Sequence, residues 1–214
     1  MAEWLNTAFY GIDNFAFNSA NLLAQRAGAF FTPFFTFITF FGEKGLFFVI
    51  LSLILMLFAR TRKLGLTMLI AIGLGALLTN VILKTAVARP RPYLQNQVYK
   101  GFHQLVGARV ESDLSFPSGH TTVAMTSMTA LFLLCNKKWS WVGFIFALLM
   151  GLSRIYLIVH YSTDVIAALI VGAASGVVAY FIIKFVYSLI EKRQQVKFCY
   201  HFLNFDLLKL FKKK

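Results

Sequence analysis

Charged residues are scarce in this chain, and acidic residues are scarcer still. Only 14% of its 214 residues are charged, and Asp and Glu together number eight. Because a soluble domain carries about 25% charged residues, this composition excludes an ordinary soluble fold. The chain is instead 58% hydrophobic, with long uncharged stretches of the kind that cross a bilayer.

Cysteine is almost absent, and the two that occur have no partners at ligand spacing. Cys135 ends an apolar segment, whereas Cys199 lies in the basic C-terminal region. This usage excludes a disulfide framework and a zinc site built from Cys and His. The N-terminus also lacks the basic, apolar and small-residue order of a secretory signal, so we expect no cleavable signal peptide.

Positive charge is the one kind present in excess, with a net charge of +13. Such a charge would suit a nucleic-acid partner, because basic chains attract phosphate backbones. The basic residues, however, occur in short clusters between apolar stretches, which is how membrane proteins carry them. We therefore expect membrane lipids as partners and no nucleic acid.

The apolar segments predict the fold class. Residues 4–26 are too polar to span a membrane and predict an amphipathic helix in the membrane interface. We predict an all-α, polytopic membrane helix bundle of about six transmembrane helices after this N-terminal helix. The predicted segments are 27–42, 45–59, 64–88, 119–135, 139–159 and 163–190. Small residues that would let these helices approach closely include Gly65, Gly73, Gly75, Gly172 and Gly176.

The chain is divided into an interfacial helix (1–26), a transmembrane domain (27–190) and a basic amphipathic cytoplasmic tail (191–214). We expect the tail, which ends in three lysines, to be solvated and to anchor to anionic lipid. A specific partner site in the tail is the alternative.

The basic clusters predict the orientation. Clusters at 60–63, 137–138 and 192–197 fall on one side if the segments alternate. The positive-inside rule makes that side cytoplasmic, with both termini there, in a multi-pass protein of the plasma membrane. The long connection 89–118 and the turn 160–163 then lie on the extracytoplasmic face.

Three cations lie at the predicted outer ends of apolar segments, where an unpaired charge is costly. They are Lys84, Arg91 and Arg154. Guanidinium groups match phosphate oxygens bidentately, so together these residues indicate an anion site. The alternative for each is a side chain that reaches the lipid headgroups.

Pro117-Ser118-Gly119-His120 predicts the beginning of a helix, with Ser118 as the N-cap. A helix N-terminus presents free N–H groups to an anion, and Gly119 would let a ligand approach the backbone. His120 could donate a proton to a leaving oxygen. The alternative is a helix cap without chemistry.

His160 and Asp164 are four residues apart, so they could face each other. A carboxylate that accepts from one imidazole nitrogen leaves the other as a nucleophile. The alternative is a capping Asp beside an interfacial His. We expect His103, by contrast, to be a surface residue of the long connection.

These clusters resemble the three-part signature of the type 2 phosphatidic acid phosphatase family. Lys84 is followed after six residues by Arg91-Pro92, and Ser153-Arg154 is followed after five by His160 and after three more by Asp164. Arg89 would give the wrong spacing from Lys84. The resemblance covers about residues 64–175, the expected catalytic core. In the family, Gly is often found at the position of Ile158, a departure expected to change packing and not activity.

The resemblance implies a role for each site residue. His160 would attack phosphorus, Asp164 would orient it, and His120 would serve the leaving group and then the water. The expected phosphate-binding residues are Lys84, Arg91, Ser118, Gly119 and Arg154. The resemblance implies no metal and no other cofactor.

The implied function is a lipid phosphatase that works through a phosphohistidine intermediate. Phosphatidic acid, phosphatidylglycerol phosphate and undecaprenyl diphosphate all fit, and undecaprenyl diphosphate is slightly favoured. Haloperoxidases share the anion-binding residues but are soluble. A non-hydrolytic lipid-binding or transport protein on the same fold is the remaining alternative.

Overall fold

The structure, a computed structural model, describes residues 1–211 and consists mainly of helices, with a π-helical segment at Leu77–Leu83 and an irregular segment at 106–118. Within that range there is no β-strand. The helices, in chain order, are α1 (Ala2–Ala8), α2 (Tyr10–Phe40), α3 (Leu46–Met56), α4 (Arg62–Ala76), α5 (Lys84–Val87), α6 (Pro92–Gln95), α7 (Gln97–Leu105), α8 (Gly119–Leu134), α9 (Lys137–Ser140), α10 (Val142–Tyr156), α11 (Ser162–Lys192), α12 (Lys197–Asn204) and α13 (Leu207–Phe211).

Four stretches of the described chain are long and apolar enough to cross a membrane. The prediction of an all-α membrane bundle is confirmed, whereas the number of about six spans stays a prediction. Helix α8 illustrates the difficulty, because its 16 residues extend only about 24 Å at 1.5 Å per residue. The four stretches are Tyr10–Met56, Arg62–Gln95, Lys137–Tyr156 and Ser162–Lys192.

The N-terminal region forms one long helix with a break, and part of it lies inside the molecule. Helix α2 departs from helical geometry at Ala27, close to the predicted boundary at residue 26. On the N-terminal half, Asp13 and Phe17 are buried. The interfacial position of this half and the division into three regions stay predictions, but its buried face contributes to the site described below.

Helix α8 lies at the centre of the bundle and packs against α4, α10 and α11. Glycines allow some of these approaches. A Cβ atom at Gly172 would lie 2.9 Å from the backbone oxygen of Thr122, closer than real side chains come. Gly65 meets the backbone of α3 in the same way, whereas Gly73 faces open space. The expectation of close packing is therefore right for Gly65 and Gly172 and wrong for Gly73.

The C-terminal region folds back on the bundle. The buried Arg62 guanidinium donates to the backbone oxygens of Phe202 and Phe205, at the C-terminal end of α12. The Phe202 ring also contacts Tyr187, with 6.0 Å between ring centroids. Arg62 thus satisfies carbonyls at the end of α12, while most side chains of this helix stay exposed, so the solvated, lipid-anchored tail stays a prediction. Residues 212–214, the three terminal lysines, lie outside the described residues.

We predict that Gly65→Ala lowers the Tm of the detergent-purified protein. The new Cβ would lie 2.8 Å from the backbone nitrogen of Met56, and a backbone atom cannot move aside easily. Overpacking of this kind costs about 1–3 kcal/mol, more than the gain of about 1 kcal/mol in helix propensity. Gly73→Ala is the matched control in the same helix and should leave Tm unchanged or higher. Equal shifts in both variants would contradict the close approach of α3 and α4.

Candidate active site

A cavity of about 560 Å³ lies where α5, α8 and the turn before α11 meet. Its wall includes residues from the turn 42–45, helix α4, the segment 109–113 and the N-terminus of α8. Five of the eight residues predicted for the site line it. They are Lys84, Arg91, Gly119, His120 and His160. Ser118, Arg154 and Asp164 lie outside its lining and contact it through other residues.

Arg91 fixes the state of the His160 ring. Its Nη1 atom lies 3.0 Å from His160 Nε2 and 2.9 Å from the backbone oxygen of Val159. Because a guanidinium can only donate, Nε2 must be the acceptor and carry the lone pair. Burial, together with the charges of Arg91 and Arg154, holds the pKa of His160 well below its ordinary value. The geometry therefore presents an unprotonated Nε2, the form that a nucleophile requires.

The opposite side of the His160 ring faces Asp164. His160 Nδ1 lies 3.5 Å from Asp164 Oδ2, which is longer than a hydrogen bond but within reach of one after a small movement. The same oxygen accepts from the backbone N–H of Tyr161 at 3.0 Å, in a capping box that begins α11. Asp164 is thus both a helix cap and the neighbour of His160, so the two interpretations of this residue are compatible.

The N-terminus of α8 has the predicted form. Ser118 is its N-cap, with the Oγ atom accepting from Thr121 N at 3.4 Å and from Thr121 Oγ1 at 3.0 Å. Gly119, the first helical residue, lines the cavity, and so does His120. Backbone N–H groups of α8 therefore lie beside the cavity, where an anion would be favoured. The fully buried Ser118 side chain supports the helix instead of lining the cavity.

Arg154 lies behind the cavity and is 3% exposed. Its Nη1 atom donates to Thr39 Oγ1 at 2.6 Å, and its Nη2 atom pairs with Glu111 Oε1 at 2.6 Å. Glu111 comes from the long connection and was not identified from the sequence.

A second carboxylate of the long connection pairs with the other two cations. Asp113 forms ion pairs with both Lys84 and Arg91. Burial raises the pKa of Asp113, but the hydrogen bond from Lys84 and the charge of Arg91 outweigh it and lower that pKa to about 2. All three predicted phosphate-binding cations thus have carboxylate partners, in positions that phosphate oxygens could take.

Several buried polar atoms around the cavity form no hydrogen bond with any described residue. They are His120 Nε2, His160 Nδ1 and Arg154 Nε. Buried polar atoms normally form hydrogen bonds, and those that form none often lie at catalytic or ligand-binding sites. Three such atoms around one cavity indicate a site that is prepared to receive a ligand.

Two residues that shape the site were not predicted from the sequence. Arg89, set aside because of its spacing from Lys84, is fully buried and pairs with Asp164 and with Asp13. Gly42 leaves room for a histidine, because a Cβ atom there would lie 2.6 Å from His120 Cδ2. The Arg-Pro-Arg-Pro run was the available signal for Arg89, and nothing in the sequence marked Gly42.

The surface position expected for His103 is wrong. Its side chain is buried, and its ring lies 4.2 Å from that of Tyr93, centroid to centroid. Burial lowers the pKa of His103, so the ring is neutral over a wider range of pH than a free imidazole. The residue packs the long connection together and does not line the cavity.

Ile158 adopts backbone angles that favour glycine, the residue that is common at this position in the type 2 phosphatidic acid phosphatase family. Its φ is +57°, in the left-handed region that branched side chains rarely enter. The side chain is fully buried among the core residues around Tyr156. The turn that aims His160 therefore contains a strained residue, held in place by the packing of its side chain.

Comparisons with known proteins agree on one family. Residues 63–188 match the PAP2 superfamily. The undecaprenyl-diphosphatase of Sulfolobus acidocaldarius is 34% identical over 139 residues, which are 64% of this chain and 63% of that protein. The undecaprenyl-diphosphatase BcrC of Bacillus subtilis is 36% identical over 104 residues, 49% of this chain and 50% of that protein. The matches thus span half to less than two thirds of these relatives.

A solved structure agrees with the fold. The transmembrane PAP2 type phosphatidylglycerolphosphate phosphatase from Bacillus subtilis superimposes with a TM-score of 0.63 and 26% identity, over 86% of this chain and 88% of that one. This chain is therefore an all-helical membrane protein that belongs to the PAP2 superfamily. The resemblance found in its sequence motifs is confirmed.

We predict that Asp113→Asn increases the affinity for orthovanadate, measured by titration calorimetry on the purified protein. The half-exposed carboxylate competes for the buried Lys84 and Arg91, and an ion pair screened by solvent on one side contributes about 1 kcal/mol, or about a fivefold change in affinity. Glu191→Gln, an exposed acidic residue outside the cavity, is the control and should change nothing. Weaker binding by Asp113→Asn would mean that Asp113 positions the cations and does not compete with the anion.

Proposed function

We propose that this protein is a lipid phosphatase that transfers a phosphoryl group to His160 and then to water. The observation that carries the proposal is the 3.0 Å contact between Arg91 Nη1, which can only donate, and His160 Nε2, in one cavity with Lys84 and His120. Membership of the PAP2 superfamily and the names of the relatives support it.

In the proposed first step, Arg91 turns its N–H from His160 Nε2 to a phosphoryl oxygen, and the freed Nε2 lone pair attacks phosphorus while the bond to the leaving oxygen breaks. His120 donates a proton to that oxygen. In the second step His120 takes a proton from water, whose oxygen attacks phosphorus, and the P–N bond breaks. Lys84, Arg91 and Arg154 would stabilise the charge that develops on the phosphoryl oxygens, as donors do in other phosphoryl transfers. These roles require no metal ion.

The cavity suits a phosphate that is attached to a lipid chain. Its polar part contains the histidines and cations, while Ile72, Ala76 and Val123 give it an apolar wall. A headgroup could react there while its chain stays in the bilayer. Among candidate substrates, undecaprenyl diphosphate is supported by two relatives of that name, and phosphatidylglycerol phosphate by the solved structure. We place undecaprenyl diphosphate first.

We further propose that the protein is in the plasma membrane, with the cavity on the extracytoplasmic face and both termini in the cytoplasm. The basic residues at 60–63, 137–138 and 192–197 support this orientation through the positive-inside rule. A non-hydrolytic lipid carrier on the same fold is the competing function, and it would not need an unprotonated His160.

We predict that His160→Ala releases no inorganic phosphate from any lipid, because the nucleophile is gone. The measurement is phosphate release in detergent from undecaprenyl diphosphate, phosphatidylglycerol phosphate and phosphatidic acid. Arg154→Ala should lose most of its turnover as well. His201→Ala, an exposed histidine of α12, is the control and should behave as the unchanged protein does.

Phosphate release by His160→Ala at the rate of the unchanged protein would contradict the phosphohistidine mechanism. Release by neither protein from any of the three lipids, with both folded, would favour the lipid carrier. EDTA should leave the activity intact, and its loss would indicate a metal ion in the reaction.

We predict that His120→Asn accumulates phosphoprotein. Without the base that activates water, the second step should slow more than the first, so that the P–N bond persists. The measurement is acid-labile, alkali-stable label on the protein after mixing with a substrate labelled in its terminal phosphate. Label that is absent in His120→Asn but present in the unchanged protein would show that His120 acts mainly in the first step.

A further inference from the structure

Arg89 is the largest fully buried side chain in the described part of the molecule. Its Nη1 atom donates to Thr163 Oγ1 at 2.6 Å and to Asp164 Oδ1 at 2.7 Å. Its Nη2 atom pairs with Asp13 Oδ2 at 3.1 Å, and its Nε atom donates to Asn6 Oδ1 at 2.8 Å. One guanidinium thus joins the first two helices of the chain to the N-terminus of α11.

Asp13 holds the same N-terminus through its other oxygen. Asp13 Oδ1 accepts from the backbone N–H of Ser162 at 2.9 Å and of Thr163 at 3.4 Å. These are the first two residues of α11, whose N–H groups have no partner within the helix. A carboxylate from α2 therefore caps α11 at the two residues immediately before Asp164, and it lies at the positive end of the helix dipole.

The Arg89 guanidinium also lies against the Tyr161 ring, with its central carbon 3.6 Å from the ring centroid. Tyr161 is the residue between His160 and α11. The contacts of Arg89 therefore surround the turn that carries His160: Tyr161 on one face, Asp164 on one edge, and Asp13 on the other. A side chain with this many directed donors restricts movement more than a compact charge would.

Asp13 and Asp164 are two buried carboxylates that both depend on Arg89 for a compensating charge. Asp13 and Asp164 are 3% and 0% exposed, and Arg89, also fully buried, is the cation that pairs with both. Removing one member of a buried ion pair is strongly destabilising, because the other charge is left without compensation. Without Arg89, Asp164 Oδ1 would lose its hydrogen-bond donor, and the carboxylate would be held only through Oδ2, which faces His160 and accepts from Ser115 Oγ and the Tyr161 N–H.

We propose that Asp13 and Arg89 are positioning residues for the phosphoryl transfer, acting through Asp164 on His160. Asp13 fixes the first turn of α11, Arg89 fixes the Asp164 carboxylate, and Asp164 sets the angle of the His160 ring. The N-terminal helix is thereby part of the catalytic machinery. This inference rests on the proposed function, because it presupposes that His160 is the nucleophile.

The test uses the full-length protein in detergent with Asp13→Asn, Arg89→Lys, Arg89→Gln and the double variant Asp13→Asn/Arg89→Gln. Asp13→Asn keeps the shape of the side chain, and Arg89→Lys keeps the charge but not the planar set of donors. Glu3→Gln and Arg60→Gln are matched controls, since each makes the same change of charge at an exposed position. Tm and gel-filtration profiles establish that each variant is folded.

We expect kcat to fall about 10–100-fold in Asp13→Asn and Arg89→Gln, as for a misplaced catalytic group, with KM within about threefold. Arg89→Lys should recover part of kcat. The double variant should lose no more than the worse single variant, because both act through one carboxylate. The controls should match the unchanged protein.

The pH profile gives a second readout that a purely structural role would not move. Asp164 is faced by Arg89, Asp13 and Ser115, while His160 is faced by Arg91, and Lys84, Arg154 and Asp113 lie nearby. Loss of the nearby Arg89 charge favours a proton on the His160 imidazole. We therefore expect the acid limb of kcat/KM to move to higher pH in Arg89→Gln and to stay in place in Arg60→Gln.

The inference is overturned if folded Asp13→Asn and Arg89→Lys keep full kcat, or if the losses multiply in the double variant. If Arg89→Gln fails to fold, Asp13→Asn, whose side chain keeps nearly the same shape, tests the inference through its kcat, KM and Tm. The proposed function fails separately, when His160→Ala keeps activity or the unchanged protein has none. An inactive His160→Ala with a fully active Asp13→Asn would therefore remove this inference and leave the proposed function standing.

Discussion

The arrangement of this molecule around its site depends on one carboxylate that has no access to solvent. Asp164 is 0% exposed, and a buried charge without a partner costs about 3–5 kcal/mol, a large part of the 5–15 kcal/mol that stabilises a typical domain. Arg89 is the cation that pairs with Asp164 through Nη1, and its Nη2 atom pairs with Asp13. Three parts of the chain must therefore meet before the site can exist.

The fold could be predicted to the extent that it follows from hydrophobic runs and local signals. The apolar stretches predicted a helical bundle, and Ser118 predicted the beginning of α8, because both depend on neighbours in the sequence. The segment 89–118 was predicted only as a long connection, without helices, and it contains α6 and α7. Helix α7 has nine residues, too few for its pattern to separate it from a loop. The burial of His103 follows from this helix and was missed with it.

The sequence predicted several residues that line the cavity, but it did not predict which side chains would pair with the site residues. Motif spacing identified the residues that the structure brings to one cavity, such as Arg91 and His160. Their partners are far away in the chain: Arg89 lies 76 residues from Asp13 and 75 from Asp164. A contact between residues so far apart in the chain produces no periodic pattern that a single sequence could reveal. The same holds for Glu111, which pairs with Arg154 across 43 residues.

Under the proposed function, the carboxylates of Glu111 and Asp113 would let the cavity discriminate between lipids by charge. A bilayer consists mainly of phosphodiester lipids, each with one negative charge on its phosphate. Such a group offers Lys84 and Arg91 no more charge than Asp113 already supplies, so it gains little by replacing that residue. A terminal phosphate carries a second charge and does gain. Abundant structural lipids would then be rejected at the entrance, without any contact that recognises their headgroups.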